Sequence, residues 1–164
     1  MDLLDRLLGH DRWTTAQLLE RCRELRAEQW AQPFDLGHQT LAATLQHMIA
    51  NVRVWTDLMA ERPIQPAADE ALITADLLLA AWQHVYTDFA TLACRIADER
   101  RWDATYVDVL DDPPRSKSYG GTIAHVITHN MHHRADIIHM LTRLGLAQVL
   151  EGDVLSWEQQ AHRP

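Results

Sequence analysis

Apolar residues recur every three or four positions along most of this chain, the spacing of one face of a helix with about 3.6 residues per turn. In residues 2–29, Leu3, Leu4, Leu7 and Leu8 open a stripe that Leu18, Leu19, Cys22 and Leu25 continue, with Trp13 between them. This predicts a first amphipathic helix. Pro33 and Gly37 then mark a break. Residues 40–61 predict a second helix, with Leu41, Leu45, Met48, Val52, Trp55 and Met59 on its buried face. Pro63 and Pro66 end it, because proline lacks the backbone donor that a helix interior needs. A third helix is expected over residues 69–99. Its stripe is Leu72, Ala75, Leu79, Trp82, Tyr86, Phe89 and then Leu92 or Cys94.

Residues 100–118 carry no helical period. The alternation in ATYVDVL suits a short strand, but the sequence offers it no evident partner, and Pro113 and Pro114 stop it. A fourth helix over residues 119–145 follows from Ile123, Val126, Ile127, Ile137, Ile138, Leu141 and Leu144. Gly120 and Gly121 break what precedes it, and Gly145 supplies a stop. Beyond it, a short terminal helix capped by Asp153 is expected. Four long helices with mostly short joins predict an all-α four-helix bundle with a short C-terminal extension. The whole of residues 1–164 is read as a single domain.

Composition narrows the function. A formal charge of −8 argues against nucleic acid and anionic membranes as partners, since both attract basic surfaces. Cys22 and Cys94 match no metal or redox spacing and are read as free thiols. The N-terminal residues are charged at every third or fourth position, unlike a signal peptide, and no stretch is long and apolar enough for a membrane span. The expected location is the cytoplasm. The apolar tail and six tryptophans suggest more hydrophobic surface than four helices need to cover, and hence a homodimer.

The chemistry lies in the fourth helix, which holds five of the ten histidines: His125, His129, His132, His133 and His139. Positions four apart stack on one helix face, so His125, His129 and His133 form a stripe in which either adjacent pair can hold a metal ion. On a helical wheel His133 lies nearest the apolar face, His129 next and His125 furthest out, which favours the pair 129/133. His47 on the second helix can supply a third nitrogen. Three imidazoles would leave one coordination position open, as at catalytic zinc. A free histidine has a pKa of about 6.5, so protons would compete with the metal below about pH 6. His132 and Asp136 read as a surface pair, His84 as solvated, and His10 as a surface or capping residue. Arg134 falls near the centre of the apolar arc, where a guanidinium needs a partner.

Two segments carry a resemblance. TLQHMIANVRVW, with a histidine eight residues before a tryptophan, and HVITHNMHHRADI resemble the second- and fourth-helix signatures of the DinB/YfiT-like superfamily. The likeness extends from HDRW to MLTRLG. It implies an up-down-down-up bundle, often homodimeric, with a divalent metal, zinc or nickel, on His47, His129 and His133. His125 matches a recurring position that is not usually a ligand. Ala135 and Asp136 stand where Gly-Gln is common, and Asn51 where many relatives carry glutamate. Asn51 is then a candidate to orient water or substrate, rather than to move a proton. Relatives include enzymes that use a low-molecular-weight thiol as co-substrate and proteins described as metal-dependent hydrolases. A thiol transferase is the expected class, with a hydrolase or a non-catalytic metal- or ligand-binding protein as alternatives.

Overall fold

A computed structural model of the chain describes residues 1–64, 73–147, 150 and 152–161. Its elements are α1 (Leu3–Arg21), α2 (Ala27–Trp30), α3 (Leu41–Met59), α4 (Ala75–Asp98), β1 (Thr105–Asp108), β2 (Arg115–Ser118), α5 (Tyr119–Arg143) and α6 (Val154–Ala161). The fold is all-α. The long helices α1, α4, α3 and α5 pack in a ring in that order, so that α1 faces α3 across a common core. Residue pairings give the directions. Asp11 meets Asn130, and Arg21 meets Ala147, so α1 and α5 run parallel. Arg12 meets Trp82, and Arg23 meets Asp76, so α1 and α4 are antiparallel. His47 meets His129 while Trp55 meets His125, so α3 and α5 are antiparallel. The order is up-down-down-up.

Most of the predicted stripe residues fill the core, although Leu3, which opens the first stripe, is exposed. Trp82, Tyr86 and Phe89 of α4 are fully buried with Leu18, Leu19, Leu41, Leu45, Met48, Ile137, Met140 and Leu141. Leu92 rather than Cys94 continues the α4 face. The expected start of that helix at residue 69, with Leu72, lies outside the described residues, as do Pro66 and Val149.

Three boundaries differ from the sequence reading. The first helix does not run to residue 29. After Arg21 the chain makes a 3₁₀ turn, Cys22–Glu24, becomes extended at Leu25, and re-enters a single helical turn. No glycine or proline marks this break. It turns Trp30 into the core and packs Leu25 against it, which one straight helix would not do. The strand does have a partner: Thr105–Asp108 pairs antiparallel with Arg115–Ser118, a polar segment with no hydrophobic alternation to announce it. Gly120 and Gly121 lie inside the first turn of α5, whose cap is Ser118 Oγ accepting from Gly121 N at 3.2 Å. Gly120 packs closely there, where a Cβ would stand 3.1 Å from the Trp102 carbonyl oxygen.

The other end of α5 closes as expected. Gly145 has φ +88°, Leu146 N donates to Leu141 O and Gly145 N to Thr142 O, the paired bonds that satisfy the last carbonyls of a helix. The chain then reaches α6, whose Ser156 N is capped by Asp153 Oδ1 at 2.9 Å. Trp157 of α6 packs over Gly9 of α1 and is only 7% exposed. His10 is buried too, and its Nε2 donates to Gly152 O at 2.6 Å. The tail therefore covers α1 of its own chain through Trp157, while Leu155 of α6 stays exposed.

Candidate metal centre

Two rigid helices and one loop bring four histidines together. Thr40 caps α3, its Oγ1 accepting from Ala43 N at 3.1 Å, and fixes the register that turns His47 toward α5. From α5, His129 and His133 face His47. His129 Nε2 lies 3.1 Å from His47 Nε2 and 3.2 Å from His133 Nε2. Two nitrogens bound at about 2.0–2.1 Å to one tetrahedral ion stand roughly 3.4 Å apart, so these spacings are those of neighbouring ligands. The burial gradient follows the helical wheel: His133 is buried, His129 half-buried and His125 exposed.

The fourth histidine is His38, which the sequence reading passed over. Its ring stacks on His47 with centroids 3.9 Å apart and lies 5.2 Å from His133. One nitrogen each from His38, His47 and His133 lie within 4.8 Å of one another. This group of histidines can hold a metal ion. His132, His133 and Asp136 form a second such group on the outer side of His133. Asp136 Oδ2 is 3.4 Å from His133 Nδ1 and 3.9 Å from His132 Nε2, so the carboxylate faces His133 more closely than its expected surface partner. A carboxylate on the far nitrogen of a metal-binding imidazole fixes its tautomer and leaves the other lone pair for the ion.

Electrostatics suit neutral, ligand-ready imidazoles. Burial lowers the pKa of His47 to about 4, with the charges of His38 and His133 adding to the effect. Burial also brings His129 to about 4, with His133 and His47 next in importance. His133 is lowered by burial as well, with Asp136 opposing it. Four buried polar atoms in the region, Asn51 Oδ1, His129 Nδ1, His133 Nδ1 and Asp136 Oδ2, have no hydrogen-bond partner among the described residues, so Asp136 stands near His133 without a formed hydrogen bond. Asn51 sits one helical turn after His47 on α3. The donor set therefore fits a borderline divalent ion, which imidazole nitrogen suits.

Behind the histidines α5 is locked to α1 by a buried polar network. Arg134 pairs with Asp11, both side chains being almost fully buried. Asn130 Nδ2 donates to the other Asp11 oxygen at 2.8 Å. Burial brings the Arg134 guanidinium down to about 10, still charged at neutral pH. The predicted partner of Arg134 is thus a carboxylate from the first helix. Because Arg134 immediately follows His133, this pairing also sets how α5 is rotated about its axis.

These features meet in a recognised family. A model of the DinB family matches residues 1–160. The chain belongs to the DinB family. A search of curated proteins finds no match. Within this DinB protein, a groove of about 390 Å³ is lined by Trp55, Lys117, Ser118, Gly121, Thr122 and His125, with none of the four clustered histidines in its wall. His125 forms its near wall, 5.3 Å from the Trp55 ring and 5.5 Å from that of His129. Lys117 Nζ sits 4.8 Å over the Trp55 ring and is held by Asp108 at 2.5 Å and Asp111 at 3.2 Å. His132 and His139 are exposed, as is His84. Cys22 and Cys94 are free thiols, and burial pushes the Cys22 thiol up to about 12, away from reactivity.

Proposed function

We propose that this DinB protein binds one divalent metal, zinc or nickel, through His47, His129 and His133, and is a metal-dependent transferase acting on a low-molecular-weight thiol. The observation that carries the reading is the position of His129 Nε2, 3.1 Å from His47 Nε2 and 3.2 Å from His133 Nε2. When bound, the ion supplies Lewis acidity that makes a thiol more acidic and holds it beside its acceptor. The chain's own residues do the rest. Asp136 orients His133, the Asp11–Arg134 pair holds the helix that carries two ligands, and the groove past His125 receives the acceptor. Trp55 gives that acceptor a flat apolar face, and Lys117, already paired with two carboxylates, offers little net charge.

A transferase is favoured over a hydrolase by Asn51, whose amide can orient a ligand but cannot accept a proton. A thiol, with a pKa of about 8.5, needs less help to ionise than water at 15.7. In the transfer the thiol proton passes to solvent, and sulfur forms a bond to the acceptor carbon as the acceptor's leaving group departs. We place the protein in the cytoplasm as a homodimer of single-domain chains. In support, no helix among the described residues is long and apolar enough to cross a membrane, and Val107, Val109 and Leu110 form an exposed apolar edge. Metal analysis of the purified protein should give close to one ion per chain. Mixing the zinc form with a small thiol and a halogenated aromatic electrophile should then consume free thiol faster than His129→Ala does. Absence of metal uptake, or equal rates for the two proteins, would overturn the reading.

A further inference from the structure

Three histidine ligands would leave a coordination position open, and a fourth imidazole, His38, stands 3.9 Å from the ring of His47 and 5.2 Å from that of His133. His38 belongs to the loop between α2 and α3, and this loop is built rather than loose. Phe34 is buried and its N donates to Gln39 O at 2.6 Å. Gln39 N donates to Leu36 O at 2.9 Å and Thr40 N to His38 O at 2.8 Å, with Gln39 at φ +67°. Gly37 lies so close to α5 that a Cβ would stand 2.8 Å from Asp136 Oδ2. The loop is thus seated on the carboxylate that faces His133, and the seat directs His38 onto His47. Alternatives for a fourth ligand fit less well. His125 packs against Trp55, while Asp136 faces the Nδ1 side of His133.

We propose that His38 is a fourth, displaceable ligand that closes the metal centre until a substrate takes its place. This rests on the three-histidine reading and extends it. The two kinds of position explain the two roles. His47, His129 and His133 project from helices whose backbones are held by ladders of hydrogen bonds, whereas His38 is exposed on a loop. The rings of His38 and His47 are tilted by 31°, and only two side-chain bonds join the His38 ring to its loop, so its orientation would be adjustable toward a bound ion. With a metal bound, closure by His38 would keep water and stray ligands off it, and a thiolate, charged where imidazole is neutral, would displace His38.

Cobalt(II) reports this directly, because four-coordinate cobalt absorbs visible light more strongly than cobalt that has added water. The full-length protein loaded with Co²⁺ should show the intense four-coordinate spectrum. His38→Ala should weaken it, and millimolar imidazole should restore it. Zn²⁺ affinity, measured by competition with a coloured chelator, should fall on the order of 10- to 100-fold in His38→Ala, against near-complete loss in His129→Ala. His38→Gln, which keeps a polar side chain on the loop, should behave like His38→Ala. A His38→Ala protein with unchanged spectrum and affinity would overturn the proposal while leaving the three-histidine centre intact. A weaker affinity with an unchanged spectrum and no imidazole rescue would assign the effect to loop packing and also overturn it. Failure of the unaltered protein to take up Co²⁺ or Zn²⁺ would sink the three-histidine reading itself.

Discussion

At the scale of the residue, a large cost lies away from the clustered histidines, at Asp11. Its carboxylate meets Arg134 and Asn130 where water does not reach. Asp11→Ala would leave the guanidinium buried and uncompensated, and should destabilise the fold by about 3–5 kcal/mol in urea denaturation. A loss below about 1 kcal/mol would show that Arg134 finds another partner. The histidines give a test of the opposite kind, strong on metal and weak on fold. His47→Ala, His129→Ala and His133→Ala should each cut zinc affinity severely, while His132→Ala and His139→Ala should leave it unchanged by calorimetric titration. Retention of full affinity by His129→Ala would mean that the register of the ligand stripe is wrong. Their titration sets a pH window. His47 and His129 have folded pKa values of about 4, below the unfolded value of about 6.5. Between those values the unfolded chain binds more protons, so the stability of the metal-free protein should be full above pH 6.5 and fall as pH drops toward 4. Metal affinity should persist to about pH 5, lower than free-histidine chemistry implies, since the folded site resists protonation. Denaturation curves from pH 7.5 to 4 check the first point. A His47→Gln/His129→Gln double variant that keeps the same slope would refute the assignment.

At the scale of the element, α6 is a strap fixed at two close contacts. Trp157 occupies the space beside Gly9, and Gly152, at φ +75°, brings its backbone against Thr14 while its carbonyl accepts from His10. Gly9→Val should push Trp157 off α1. The expected cost is about 1–3 kcal/mol, accompanied by a red shift and weakening of tryptophan fluorescence as the ring meets water. An unchanged spectrum would show that α6 accommodates the added bulk in place. At the end of α5, Gly145→Ala should cost on the order of 1 kcal/mol because its backbone is left-handed. That loss should raise the rate of amide exchange in the last turn of the helix while sparing the histidine turns.

At the scale of the whole molecule, a ligand that binds the folded state alone stabilises all of it. Zinc at about 100 times its dissociation constant should add roughly 2.7 kcal/mol. For a chain of this length that is a rise in Tm of about 5–10 °C, and it should vanish in His129→Ala. A Tm that does not respond to zinc would contradict a site formed only by the packing of α3 against α5. Association is the other global property. With Trp157 folded back on its own chain, the exposed apolar surface for a dimer includes the hairpin edge of Val107, Val109 and Leu110 and, on α6, Leu155. Light scattering at tens of micromolar should give twice the monomer mass, and Val109→Lys should lower it. A monomer mass for the unaltered chain would dismiss the dimer.

Much of this was legible in the residues alone, because helix periodicity is local. The four stripes, the cap at Asp153, the stop at Gly145 and the order His133, His129, His125 from core to solvent all follow from 3.6 residues per turn. The need of Arg134 for a partner also follows, since a charge on an apolar arc cannot stay unpaired. Its partner could not be read, because Asp11 lies more than a hundred residues away and looks like any surface aspartate in HDRW. The end of α1, the pairing of TYVD with RSKS and the burial of Trp157 are likewise decided by what each segment meets, not by its own pattern. His38 is the sharpest case. It lies on a loop outside every periodic stripe, and nothing in GHQT distinguishes it from a solvated histidine. The sequence determined that three histidines occupy helix faces able to meet. The tertiary structure decided which neighbours they meet, because only packing brings residues 11, 38, 47 and 134 to one end of the same core.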